Sequence, residues 1–168
     1  MTQDTDWRYA MTRYVKGMPH TRATGLEVIK ASKGDVTMRL PWQPWFAGDL
    51  SRGLVHGGVI TMVLDTLCTG TVLCGLGRPE ICPTLDLRID HYRPARVGHA
   101  MVANAIIVNV TGSIATVEGT LWQVNAPEKT IARAVGSFAR LPPEMTPHNF
   151  ERLLCGRPTH SPNTESHV

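Results

Sequence analysis

One carboxylate, Asp65, stands inside the apolar stretch GLVHGGVITMVLDTLCTG (Gly53–Gly70), and a His-Gly-Gly triplet, His56 to Gly58, opens it. Burying a carboxylate without partners costs several kcal/mol, so it needs either a counter-charge or a purpose. No Lys or Arg lies between His56 and Gly77 to supply the charge locally. On a helix Thr61, Asp65 and Thr69 recur at i, i+4 and i+8 and form one narrow polar stripe. Two readings are open. Asp65 is a general base, or it is a structural acid satisfied by threonines and by an Arg from a strand. Gly57 and Gly58 fall where a helix leaves its first N–H groups unpaired and favours negative charge, a place for a developing oxyanion. A tight loop-to-helix turn explains the same glycines, and capping explains His56 without any catalytic role. Cys68 follows Asp65 by three residues, yet no basic group is placed to lower its pKa, and it reads as a buried, inert thiol.

The elements that position these residues follow from periodicity. Residues 5–16 form a short amphipathic helix with Trp7, Met11, Tyr14 and Val15 on one side. GLEVIKASKGDVTMRL reads as two strands joined at Lys33-Gly34-Asp35. PWQPWFAGDLSRGLV (41–55) reads as an ordered aromatic loop, and 56–75 as the long apolar helix, closed by Gly75, Gly77 and Pro79. Then the period drops to 2. CPTLDLRIDHYRP alternates Leu85, Leu87 and Ile89 with polar residues, a half-buried strand stopped by Pro94. HAMVANAIIVNV and SIATVEGTLWQVN form a hairpin through Thr111-Gly112, and TIARAVGSFARL is a last strand. The predicted order is two strands, one long helix and a meander of about four strands. A helix apolar all round must be surrounded. An antiparallel sheet wrapped round it does this, with a second subunit covering the remaining face.

The pairing of H-G-G-x6-D with the strand D-x-R-I-D-x-x-R-P-A (Asp86 to Ala95) resembles the hotdog-fold acyl-CoA thioesterases of the phenylacetate-degradation (PaaI-like) group, over about residues 22–141. The resemblance implies an α+β hotdog fold and hydrolysis of an acyl- or aryl-CoA thioester to the acid and free CoA. It implies no cofactor and no metal. It makes Asp65 the general base or nucleophile and Gly57 the backbone donor that polarises the thioester carbonyl. His56 stands beside it, and Thr84 helps to orient the water. Asp49, Gly58, Thr69, Arg93 and Arg96 are the expected substrate contacts. Asp49 is a departure, since many members carry Asn in an N-P-x-x-G stretch where this chain reads G-D-L-S-R-G. Two rivals keep the fold: a non-catalytic acyl-CoA-binding or regulatory protein, and a hydratase or dehydratase. Against the second, neither D-x-N-x-x-H nor H-F-P-G occurs.

The 168 residues suit one domain that buries roughly two-thirds of its unfolded surface without a disulfide or metal. We divide them into a helical N-terminal extension (1–21), the hotdog domain (22–141) and a Pro- and His-rich tail (142–168) that is partly disordered. With 42% hydrophobic residues, 18% charged ones and a net charge of +3, the composition is globular and argues against nucleic acid as partner. The start lacks a signal-peptide pattern, no run of about 18 apolar residues suggests a membrane span, and the four cysteines form no C-x-x-C pair. The expectation is a reduced cytoplasmic protein acting as a homodimer, or as a dimer of dimers. Asp86, Asp90, His91 and His99 show no metal-ligand spacing. Arg88, Arg93, Arg96, Arg133 and Arg140 are candidates for the coenzyme A phosphates. Trp42, Trp45, Phe46, Met62 and Leu64 are candidates for an acyl tunnel, and core packing explains them equally well.

Overall fold

The computed structural model describes residues 6–76, 80–147 and 149–155. Among the described residues four helices, α1 (Trp7–Gly17), α2 (Pro19–Thr24), α3 (Gly57–Gly75) and α4 (Phe150–Cys155), accompany eight strands. The strands are β1 (Glu27–Ser32), β2 (Asp35–Leu40), β3 (Ala47–Asp49), β4 (Leu54–Val55), β5 (Thr84–His91), β6 (Met101–Val110), β7 (Ile114–Gln123) and β8 (Ala132–Ala139). Six of them form one antiparallel sheet in the order β1-β2-β6-β7-β8-β5, and β3 and β4 pair separately. Gly34, at φ 74°, turns β1 into β2.

The sheet wraps α3 as expected. Its inner face alternates strictly, with Val36, Met38 and Leu40 on β2, Ala103 and Ala105 on β6, and Ala115, Val117 and Leu121 on β7. The middle strands present small residues because the helix lies close. A Cβ on Gly119 would sit 3.3 Å from Cys68 Sγ. By length and composition α3 passes the test for a membrane-crossing helix, contrary to the expectation from sequence. It is instead the core helix, with Val63, Leu64, Leu67, Cys68 and Val72 all sealed. It ends at Gly75, and the expected stop signals Gly77 and Pro79 lie outside the described residues.

Three expectations change. The strands after α3 are not a simple meander: β5 crosses to the far edge and pairs with β8, while β6 returns beside β2. β5 is also less covered than its alternation suggests, with Leu85 59% exposed, because among the described residues little packs over that end of the edge strand. The tail carries a docked element after all. α4 packs on α1, with Leu154 buried and Phe150 against the core. Residues 156–168, where the disordered end was expected, lie outside the described residues. The aromatic loop holds a 3-10 turn at Pro44–Phe46 and the small β3–β4 ribbon. The N-terminal extension holds α1, while α2, opened by Pro19 and closed by Gly25 in the left-handed conformation, runs past the expected boundary at residue 21.

Candidate active site

The N-terminus of α3 is built by the loop before it. The Phe46 carbonyl accepts a hydrogen bond from His56 N at 2.9 Å, and the Ala95 carbonyl accepts one from Val55 N at 3.0 Å. Gly48 makes the approach possible, since a Cβ there would lie 2.7 Å from His56 Cα. Sequence reasoning missed Gly48; a glycine between the aromatic turn and Asp49 was the available signal. His56 is the N-cap residue, and its Nδ1 accepts from Gly58 N at 3.0 Å. The capping role is therefore real, and it leaves Nε2 to carry the ring's proton when the imidazole is neutral. Val59 N reaches His56 O at 3.0 Å. Among the described residues Gly57 N–H has no partner, and a Cβ on Gly57 would meet nothing within 4 Å. An open N–H at a helix N-terminus is the geometry that receives an anion or a polarised carbonyl.

Asp65 lies two turns further along the face of α3 that the sheet leaves open. It is half-buried, and Thr61 and Thr69 share its stripe. Their hydroxyls donate to the backbone, Thr61 to Gly57 O at 3.3 Å and Thr69 to Asp65 O at 2.9 Å. Thr84, at the start of β5, donates to Asp65 Oδ1 at 3.3 Å. Among the described residues no Lys or Arg pairs with the carboxylate, so the structural alternative of an Arg from a strand is not realised. Cys68, behind Asp65, is fully buried, and burial first and the Asp65 charge second push its thiol up to about 12. It is no nucleophile at neutral pH.

Two clefts flank the helix start. The larger, about 570 Å³, is lined by His20, Trp45, His56, Gly58, Val59 and Met62 among others. A cleft of this size, mostly apolar and set beside a few polar groups, suits a small ligand. Trp45 and Met62 thus face open space, whereas Leu64 and Phe46 belong to the core. The smaller, about 310 Å³, is lined by Gly57, Ile60, His91, Tyr92 and Arg93 among others. Neither cleft is lined by Asp65.

The remaining expected contacts disperse. Asp49 turns onto its own loop, accepting from Ser51 Oγ at 2.6 Å and Arg52 N at 3.1 Å, and these bonds hold its carboxyl below the usual range. Arg96 gives its guanidinium to the Arg52 carbonyl at 3.0 Å. Arg93, at the rim of the smaller cleft, is held by the Thr130 carbonyl at 2.8 Å. Arg140 is committed to buried Glu80, and Arg88 to Asp90. Among the described residues no group of three or more His, Cys, Asp or Glu is placed to hold a metal.

A family model described as the thioesterase superfamily matches residues 52–128, which span His56, Gly57, Asp65 and Thr84. A Pseudomonas aeruginosa protein of known crystal structure is 36% identical, with a TM-score of 0.72, covering 80% of this chain and 99% of that one. The chain belongs to the thioesterase superfamily. Two further relatives place it more closely. A mutant of the phenylacetic acid degradation protein PaaI from Thermus thermophilus is 25% identical at a TM-score of 0.65, over 74% of this chain and all 100% of that chain. The medium/long-chain acyl-CoA thioesterase YigI of Salmonella typhimurium is 28% identical over 138 residues, 74% of this chain and 87% of the relative. This superfamily member thus has the PaaI-like hotdog fold that its H-G-G-x6-D pattern led us to expect.

Proposed function

We propose that this protein hydrolyses acyl-CoA thioesters to the carboxylic acid and free CoA. The observation that carries the reading is Asp65: a carboxylate on the open face of a core helix, held by a threonine and, among the described residues, by no cation. In the reaction Asp65 takes a proton from water as the oxygen attacks the thioester carbonyl, or attacks the carbonyl itself to form a mixed anhydride that water then hydrolyses to the acid and free Asp65. The developing oxyanion sits on the N–H of Gly57, and collapse of the tetrahedral species expels the CoA thiolate, which is then protonated. Thr84 orients the water and the carboxylate. His56 shapes the oxyanion donors by capping Gly58.

The apolar cleft beside Trp45, Val59 and Met62 is the place we assign to the acyl chain. Its apolar lining suits an aliphatic chain, and medium- and long-chain acyl-CoAs are the substrates in the name of the YigI relatives. Arg93 at the rim of the other cleft suits a phosphate of CoA, and Asp49, Gly58, Thr69 and Arg96 remain weaker candidates for contact.

Two chains make one site in this reading. Gly57 and Asp65 are eight residues apart on one helix, about 12 Å along its axis at 1.5 Å per residue. A base and an oxyanion donor serving one carbonyl must both lie within roughly 3 Å of the reacting atoms. Two antiparallel α3 helices related by a two-fold axis bring Gly57 of one chain beside Asp65 of the other. The same contact would cover the open stripe of α3 and the exposed Leu85.

The test is thiol release over a panel of acyl-CoAs from acetyl to palmitoyl, with phenylacetyl-CoA included, for wild type and Asp65→Asn. Turnover that rises with chain length and vanishes in the variant supports the reading. Binding without release across the panel would favour a non-catalytic acyl-CoA-binding protein. Single-turnover hydrolysis in ¹⁸O-water identifies a nucleophile if Asp65 takes the label and the product acid stays unlabelled, an outcome that a general base cannot give.

A further inference from the structure

α1 carries two stripes. Ala10, Met11 and Val15 are sealed in the core, while Arg8, Thr12 and Lys16 recur every four residues and form a second, polar row. α1 packs along β1, the edge strand of the sheet, and a groove of about 360 Å³ runs between them. Its floor is aliphatic, for Val15, Leu26 and Val28 line it and are each 8% exposed or less. Ile29 lines it too and is 44% exposed, at the point where the β1–β2 register shifts. An edge strand that shows a large aliphatic side chain to water is a liability unless something covers it. The groove lies outside the residues that the family model matches, and it shares no lining residue with either cleft at the start of α3.

The charge above this floor is positive. Glu27 also lines the groove, but Arg39 Nη1 meets its Oε2 at 3.3 Å. Lys30, on the same strand, is paired with Asp35 at 2.7 Å. Arg8 and Lys16 are exposed and, among the described residues, pair with no acid. Thr12 gives its hydroxyl proton to the Arg8 carbonyl at 2.7 Å, so the side-chain donors left to the groove are the two cations. A neutral lipid would leave both cations unused. A polyanion such as nucleic acid would leave the aliphatic floor unused. A chain with one carboxylate head uses both, since the floor takes the chain and the Arg8 guanidinium matches a carboxylate with two parallel hydrogen bonds.

We propose that the groove between α1 and β1 is a second binding site, for the anion of a fatty acid, with Arg8 and Lys16 holding the carboxylate and Val15, Leu26, Val28 and Ile29 holding the chain. The site does not rest on the assignment of Asp65 to hydrolysis, because no residue of the hydrolytic site lines it.

The experiment titrates the full-length protein with decanoate and follows the backbone amide resonances by NMR. Thr12, Val28 and Ile29 are expected to shift saturably. The double variant Arg8→Ala/Lys16→Ala should raise the decanoate Kd read at these amides by about tenfold or more, the effect of losing charge-assisted hydrogen bonds to the head. 1-Decanol, with the same chain and no charge, should bind the wild type about tenfold more weakly. Ile29→Asp, at an exposed position, sets a carboxylate beside the chain and should abolish the shifts. Melting curves verify that the variants fold, and kcat with acyl-CoA should stay at the wild-type value in the double variant. Amides of α1 and β1 that do not respond to decanoate overturn the proposal. So does decanol binding as tightly as decanoate, or a double variant with wild-type affinity. Shifts of these amides that follow protein concentration and ignore decanoate would give the face to a second copy of the chain and overturn it as well. A protein silent on every acyl-CoA that still binds decanoate here overturns the thioesterase reading and leaves this site standing.

Discussion

Thr84, the first residue of β5, donates its hydroxyl to Asp65 Oδ1 across 3.3 Å, joining the edge strand to the middle of the core helix. The threonine is exposed, so the fold gains little from the bond. Thr84→Ala should therefore leave stability within about 0.5 kcal/mol of wild type while lowering kcat by about tenfold. Thr84→Ser should restore most of the rate. Thermal melts and steady-state kinetics on the three proteins check this, and an alanine variant with unchanged kcat would remove Thr84 from the site.

Neighbouring glycines make a sharper contrast. A Cβ on Gly58 would lie 2.9 Å from His56 Nδ1, where the cap bond runs, whereas one on Gly57 meets open space. Gly58→Ala is expected to disturb the cap and lower stability by about 1 kcal/mol. Gly57→Ala should leave the fold of the chain intact and still depress turnover, because the methyl group stands where a substrate carbonyl must approach the N–H. Melting temperature and kcat/KM measured together distinguish them. Equal kinetic and stability losses in both variants would mean that Gly57 serves the turn alone.

The segment that delivers Thr84 is anchored from behind. Glu80, 1% exposed, accepts Arg140 Nη2 at 2.8 Å and Nε at 3.1 Å, while Arg140 Nη1 reaches the Thr111 carbonyl at 2.7 Å. Arg140→Met leaves Glu80 buried without this cation and should cost about 3 kcal/mol. That corresponds to a fall in melting temperature of roughly 6–12 °C for a chain of this size. Glu80 raises the Arg140 pKa further. A raised folded-state value means that stability is complete at lower pH and is lost only as pH climbs through it. Arg140 should thus contribute no slope to the melting temperature between about pH 6 and about pH 10. A melting temperature unmoved by Arg140→Met would show that the pair holds nothing in place.

What the sequence revealed and what it concealed divide along range. α3 was legible because nineteen residues carry one continuous apolar signal, and Asp65 stood out by violating it. Hairpins such as β6–β7 were legible because turn and alternation are local. α2 was not, since six residues hold no apolar period, although Pro19 and Gly25 marked its ends. The placement of β5 beside β8 depends on long-range pairing that alternation does not encode. For the same reason Leu85, Leu87 and Ile89 told which face they share but not whether anything covers it. Around the site, the contacts of Gly48 with His56 and of Tyr14 with the turn at Gly70 join residues that are not neighbours in the chain. Nothing in the residue types alone pairs them.

Gly57 lines a cleft at the start of α3 that Asp65 of the same chain does not line, and one straight helix cannot fold its own two groups together. In the two-chain site we propose, a two-fold pair of antiparallel α3 helices would supply what each chain lacks. Asp65→Asn chains and Gly57→Trp chains should each be inactive alone. Co-expressed with distinguishable tags, half of the randomly paired dimers are mixed. In each mixed dimer one site collects both lesions and the other collects none. Activity should then return to about a quarter of wild type, and purified mixed dimers should show about half. Mass spectrometry under native conditions verifies the pairing. Mixed dimers that form and stay inactive would refute the two-chain site, and would require Asp65 to find its oxyanion donor within its own chain.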